Sequence, residues 1–323
     1  MTICFHNLVC YDTFVTIQIF GDFMAVYRFS GHDTFIVRSF WPKKGYDFLN
    51  NNGKFSAEDA VVDLGVGKNM VSSIAYWMKA LGLVKEDSNE LTDIAHFLLN
   101  DKGTDPFLED IGSIWLLHYY LVKTEYASIY SLIFNELRKE RSVFNKNQLI
   151  SFIKRKYSDI DDNSLNQNTI DKDISVFTRL YKKVDYHSLS KDFEDEISSL
   201  MIELELISSS IEDEIKEGGK KPEKVEWYYL HGESRSTLPP EMLLFSILDH
   251  YEGAKNIALK RLEIEPNSPG MVFLLNKDSL YQKLKEVENL HLGTALSETA
   301  GNVILVLPEG IDKWEILRKY YAK

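Results

Sequence analysis

Between Phe55 and Leu99 the chain carries the local chemistry of a helix–turn–helix with a short hairpin behind it. Ser56 is an N-cap residue type, and Asp59, three positions on, can act as its capping-box partner. Leu64-Gly65-Val66-Gly67 stops that helix, because glycine readily takes the left-handed backbone of a tight turn. Lys68 opens a second helix in which Val71, Ile74, Ala75, Met78 and Leu81 recur at helical spacing and form one apolar stripe. The opposite face carries Asn69, Ser72, Ser73, Tyr76 and Lys79, short or hydrogen-bonding groups suited, with Lys68, to phosphates or base edges. Gly82 closes the helix, Lys85–Asn89 forms a polar turn expected as a wing, and Thr92 caps a further helix through Leu99. The segment reads as a winged helix, a module that serves either DNA binding or protein–protein docking. A phosphate-binding loop at Gly65-Val66-Gly67-Lys68 is excluded. Val62 stands where that motif needs its first glycine, and Asn69 where it needs Ser or Thr.

Composition cuts against broad capture of nucleic acid. The 323 residues carry a formal net charge of -12, and non-specific DNA binding rests on neutralising phosphates. The charge is uneven, however. Residues 188–225 are acidic, whereas 138–156 and 172–183 lean basic, and a local basic face can act on an acidic protein. Hydrophobic content of 44% and charged content of 27% suit a globular protein. Both cysteines, Cys4 and Cys10, lie in the first ten residues, and no zinc-type spacing occurs, so neither a disulfide framework nor a structural metal is expected. The cysteine usage suits the cytoplasm. Residues 1–23 are apolar but interrupted by His6, Asn7, Asp12 and Gln18, which argues against a signal peptide or membrane span. They are expected to be a disordered extension from a mis-set start, or alternatively an added edge strand.

Four segments follow: residues 1–23, 24–125, 126–235 and 236–323. In the second, Ile111–Lys123 is almost wholly apolar and reads as a core helix, with His118 a satisfied core histidine. In the third, Asn145–Tyr157 and Thr169–Tyr181 read as another helix pair, with Lys172, Ser175 and Arg179 outside the apolar face of the second helix and available to DNA. Leu200–Ile207 and Val225–Leu230 are expected to pair as strands around an acidic loop, Ser208–Lys224. Glu214-Ile215-Lys216 superficially resembles the Glu-x-Lys of restriction nucleases but lacks a convincing upstream Asp on a strand. In the last third, helices at Glu241–Tyr251 and Ser279–Glu288 and a hairpin through Ala300-Gly301-Asn302 outline a third such unit. The fold class is mainly α with small β-hairpins (α+β), built of tandem winged-helix-like units.

Five motifs occur in order: Phe29-Ser-Gly-His-Asp-Thr-Phe35, continuing through Arg38, Trp41 and Lys44-Gly45; Leu64-Gly-Val-Gly-Lys-Asn-Met70; Asp105-Pro-Phe-Leu-Glu-Asp110 with Trp115-Leu-Leu-His118; Leu238-Pro-Pro-Glu241; and Pro266-Asn-Ser-Pro-Gly-Met-Val-Phe273. Together they resemble the bacterial domain-of-unknown-function 4007 family, which includes SspB-like proteins of DNA phosphorothioation systems. The resemblance implies a component that engages or nicks DNA so that sulfur can replace a backbone oxygen. Its implied partners are a cysteine desulfurase, an ATPase and a reductase-like sulfurtransferase.

Phosphodiester cleavage needs an activated nucleophile and stabilisation of developing charge. The clustered candidates are His32 as acid/base, Asp33 as its orienting partner or a metal ligand, and Arg38 with Lys44 as phosphate clamps. Equally, residues 31–35 can be a structural clasp on the first winged helix. Three functions stay open: a DNA-engaging component with nicking activity, which would take a divalent metal; a transcriptional regulator; and an adaptor docking sulfur-transfer or ATPase partners. No membrane partner is expected.

Overall fold

The computed structural model describes residues 27–158, 166–182, 198–214 and 222–322, except 231, 233 and 300. The expected N-terminal extension, both cysteines, Ile215 and Lys216 lie outside the described residues. α1 (Trp41–Asn50) begins at Trp41-Pro42, where proline sacrifices no helical hydrogen bond. α2 (Ala60–Leu64) starts later than Ser56 predicts, with Asp59 as its N-cap residue, and Gly65 ends it at φ 61. α3 (Lys68–Ala80) follows. The expected wing amounts to one bridge, Val84↔Leu91, ahead of α4 (Asp93–Leu99), and Lys79 Nζ pins its tip by donating to the Glu86 carbonyl at 2.5 Å.

α5 (Ile111–Lys123) has the expected bounds and is buried on nearly every side; Asp110 caps it by accepting the Gly112 N–H at 2.7 Å. α6 (Ser128–Ser131) runs on through a π-helical stretch, Leu132–Leu137, into the last turn α7 (Arg138–Glu140). A strand–helices–hairpin order then occurs twice. The first run is β1 (Val143–Asn145), α8 (Lys146–Ser158), α9 (Gln167–Tyr181), β2 (Ser208–Glu214) and β3 (Glu223–Tyr229). After α10 (Pro240–His250) comes the second: β4 (Asn256–Ala258), α11 (Leu259–Ile264), α12 (Pro269–Val272), α13 (Lys277–Glu288), β5 (Ala295–Thr299) and β6 (Asn302–Val306). Both sheets are antiparallel with the last strand in the middle, β1-β3-β2 and β4-β6-β5. α14 (Lys313–Tyr321) ends the described chain.

The strand expected at Leu200–Ile207 is instead irregular around a 3-10 turn, Ile202–Leu204. Leu200, Met201, Leu204, Leu206 and Ile207 are all buried, which no two-faced strand allows. The polar stretch expected as a loop supplies the strand, because an edge strand needs only one paired side. One apolar core, with Trp77, Trp115, Phe177 and Phe245 among its members, runs through all three segments from residue 24 onward. A satellite cluster of Phe48, Ala60, Leu64 and Val71 lies under α2. Among the described residues no helix is long and apolar enough to cross a membrane.

His118 is the satisfied core histidine that its surroundings in sequence suggest. The Val272 carbonyl can only accept, so Nε2 donates to it at 2.9 Å, and Nδ1 accepts the Tyr181 hydroxyl at 2.8 Å. Burial holds the imidazole pKa down at about 4, against a weaker opposing pull from the Val272 carbonyl. The folded value lies below the unfolded one, so this group's contribution is fully present above about pH 6.5 and fades towards pH 4, by about 3 kcal/mol in all. Urea unfolding of wild type and His118→Gln should therefore diverge less at pH 4.5 than at pH 7. A constant difference between them would refute this.

Candidate nucleic-acid interface

The motif at residues 29–35 folds into a tight turn, with Ser30 at φ 66 and Asp33 at φ 56. Gly31 is required by close approach: a Cβ there would come within 2.3 Å of the Tyr76 ring. His32 is fully buried, stacked on Trp77 with ring centroids 5.7 Å apart and edge-on to Tyr76. Its Nε2 lies 3.2 Å from Asp173 Oδ1 on α9, and its carbonyl accepts Ser73 Oγ of α3 at 2.8 Å. Trp77 Nε1 donates to the Phe35 carbonyl at 3.1 Å, and Arg179 to that of Thr34 at 2.5 Å. Lys172 Nζ sits 3.6 Å from Asp33. The turn is thus a clasp gripping α3 on one side and α9 on the other.

This geometry corrects the expected catalytic set. His32 pairs with Asp173, 141 residues away, and not with its neighbour Asp33, whose left-handed backbone places it at the surface beside Lys172. The Arg38 guanidinium lies over Trp41, 5.5 Å from the ring centroid, and Arg38 bridges Ser199. Lys44 Nζ donates to the Leu64 carbonyl at 2.8 Å, closing the end of α2. The four residues share a segment but no reaction centre. Around His32, four buried polar atoms have no partner among the described residues: His32 Nδ1, Asp173 Oδ2, and the hydroxyls of Tyr76 and Tyr130. Ordered water is the usual partner of such a cluster. Burial drives both phenols well above their ordinary pKa, so they stay neutral. Among the described residues no group of three or more His, Cys, Asp or Glu side chains converges.

The expected DNA-facing set divides. Ser73 and Tyr76 are buried against the clasp and leave that face, because the motif turn covers the part of α3 that periodicity alone assigns to solvent. Lys68, Asn69 and Ser72 stay exposed, and Lys79 is half-buried. On α9, Lys172 and Ser175 are exposed and Arg179 is half-buried. On the α9 side, Lys172 and Arg179 reach the turn at Asp33 and Thr34. Sequence reasoning missed Asp173, which sits on the apolar side of an amphipathic helix, a place where a carboxylate signals a partner. α13, the helix expected at Ser279–Glu288, exposes Lys277, Gln282 and Lys285 and holds the position in its strand–helices–hairpin run that α9 holds in the earlier one.

The architecture defines a mainly helical α+β protein with two small three-stranded sheets. A family model described as a protein of unknown function, DUF4007, matches residues 29–321, and the chain belongs to that family. A solved structure titled "SspB crystal structure" is 28% identical, with a TM-score of 0.76 over 93% of this chain and 90% of that one. A second, "Magnesium ion-bound SspB crystal structure", gives the same identity and coverage with a TM-score of 0.77. No curated protein matches the chain.

Proposed function

We propose that this protein is a DNA-engaging component of a bacterial DNA phosphorothioation system, built from tandem winged-helix-like units. One observation carries the reading: the clasp at residues 32–35 holds α3 through Ser73 and α9 through Asp173 and Arg179, and these two helices carry the exposed Lys68, Asn69 and Ser72 and the exposed Lys172 and Ser175. The recurring strand–helices–hairpin order and the likeness to SspB over nine-tenths of both chains support it. The net charge of -12 makes affinity depend on this local face and on partners rather than on bulk attraction. Lys68→Ala combined with Lys172→Ala is expected to weaken duplex binding several-fold. It should also lower the slope of log affinity against log salt by roughly one to two units. Wild-type affinity and slope in gel-shift titrations would overturn the proposal.

Nicking is the activity to seek next. A relaxed circle from supercoiled plasmid in magnesium would establish it, magnesium being the ion bound in the related SspB structure. Burial of His32 and its contact with Asp173 favour a structural role for it over that of general acid. The acidic balance favours a second reading, an adaptor that docks a desulfurase, an ATPase or a sulfurtransferase. On that reading the purified protein would ignore DNA and co-purify with those enzymes.

A further inference from the structure

A cleft of about 530 Å³ opens between the start of α1, the end of α2 and the turn that precedes α5. Phe40 and Phe107 both line it, and they are 68% and 54% exposed. A single exposed phenylalanine is ordinary, but two bordering one cleft point to something that covers them.

The turn carrying Phe107 is held more firmly than a connection needs. Asp105 is buried, and its two carboxylate oxygens accept the N–H groups of Glu109 at 2.9 Å and Asp110 at 3.0 Å. Leu108 is buried at φ 55, a left-handed backbone that a branched apolar residue rarely adopts. The effect is to turn Leu108 inward and keep Phe107 in water, and strain of this kind gathers at sites that must be pre-shaped. Phe40 is fixed in turn, because Trp41 and Pro42 behind it are buried.

The rest of the lining is polar. Lys43 is held by Asp47 and Asp101, both at 2.6 Å, and Lys44 by the Leu64 carbonyl, so neither ammonium is a mobile phosphate clamp. Asn51 and Asp63 complete the wall. An apolar peptide anchor would strip water from Asp47, Asn51 and Asp63 without replacing its hydrogen bonds. A flat heteroaromatic ring satisfies both kinds of lining, offering a face to the phenylalanines and a hydrogen-bonding edge to the polar wall. The volume is in the range of small-ligand sites. α2, which supplies Asp63 and Leu64, is also the first helix of the α2–α3 pair.

We infer that this cleft receives an unpaired nucleobase of a single-stranded or locally opened DNA strand, stacked on Phe40 and Phe107. The inference rests on the DNA-engaging reading and adds an unpaired strand to its substrate. Fluorescence anisotropy with a labelled oligothymidylate, an abasic strand of equal length and a blunt duplex tests it. The combined Phe40→Ala, Phe107→Ala variant should bind oligothymidylate about tenfold more weakly. Both proteins should bind the abasic strand and the duplex alike. The Phe40→Trp, Phe107→Trp variant, which keeps stacking surface, should bind oligothymidylate at least as well as wild type.

Equal binding of oligothymidylate by wild type and the alanine variant overturns the inference. So does a wild type that cannot tell bases from abasic sites. If that wild type still binds duplex, the cleft inference alone fails; if it binds neither, the DNA reading fails with it. An alanine variant that keeps its oligothymidylate affinity but loses a co-purifying protein would mark the cleft as a protein-docking surface and also overturn the inference.

Discussion

His32→Ala is expected to destabilise the fold by about 3–5 kcal/mol, the range typical of removing one member of a buried pair. Asp173 is 1% exposed and its Oδ2 already lacks a partner among the described residues, so losing His32 leaves the whole carboxyl stranded between α9 and the motif turn. The stacking of the imidazole on Trp77 goes as well. Asp33→Asn is the informative companion. Asparagine tolerates the positive φ at that position, and the Lys172 contact is long and partly exposed, so stability should change by no more than about 0.5 kcal/mol. Denaturant titrations of the two variants separate a clasp from a catalytic pair. A His32→Ala protein as stable as wild type, with both variants losing plasmid processing equally, would restore the catalytic reading that the geometry disfavours. If the protein engages DNA as proposed, His32→Ala should also weaken that binding indirectly, because the turn contacts both α3 and α9.

Arg138→Ala should cost about 1–3 kcal/mol by removing charge-assisted hydrogen bonds at the junction of the second and last thirds of the chain, although the Gly270 and Met271 carbonyls keep the backbone N–H groups of Leu275 and Leu274. The guanidinium donates to the carbonyls of Gly270, Met271 (3.2 Å) and Leu275 (2.9 Å), gathering α12 and the residues after it onto α7. Burial lowers the arginine pKa to about 10, still far above neutrality, so the side chain remains a cation. Asn135, three residues earlier, donates to Asn267 Oδ1 at 2.7 Å and accepts the Asn267 N–H at 2.8 Å. The motif Pro266–Phe273 is thereby explained as a docking element, with no catalytic role implied. Arg138→Lys should recover only part of the loss, since one ammonium cannot span the carbonyls that a planar guanidinium bridges. Superimposable melts of Arg138→Ala and wild type would refute this account of the junction.

Much of the helical framework was legible in residue order. Ile111–Lys123 is found at its expected bounds, and α8, α9, α10 and α13 fall within two residues of theirs, because apolar spacing and capping act over one or two turns. His118 was readable for the same reason: a histidine inside an apolar run has to find partners in the core. Strand positions were less secure. β2 is a polar edge strand whose existence depends on β3 being beside it, and no local pattern encodes that neighbour.

The site was legible only in outline. Lys68, Asn69, Ser72, Lys172 and Ser175 keep their predicted exposure, whereas Ser73 and Tyr76 do not, since the turn that covers them comes from forty residues upstream. Asp173 as the partner of His32, the joining of α3 to α9, and the meeting of Phe40 with Phe107 at one cleft arise from long-range packing. Local propensity depends on neighbours within a few residues and so sets where helices start, stop and turn their apolar sides. Which polar side is then sealed and which meets solvent depends on what the distant chain lays against it, and that is settled when the core closes.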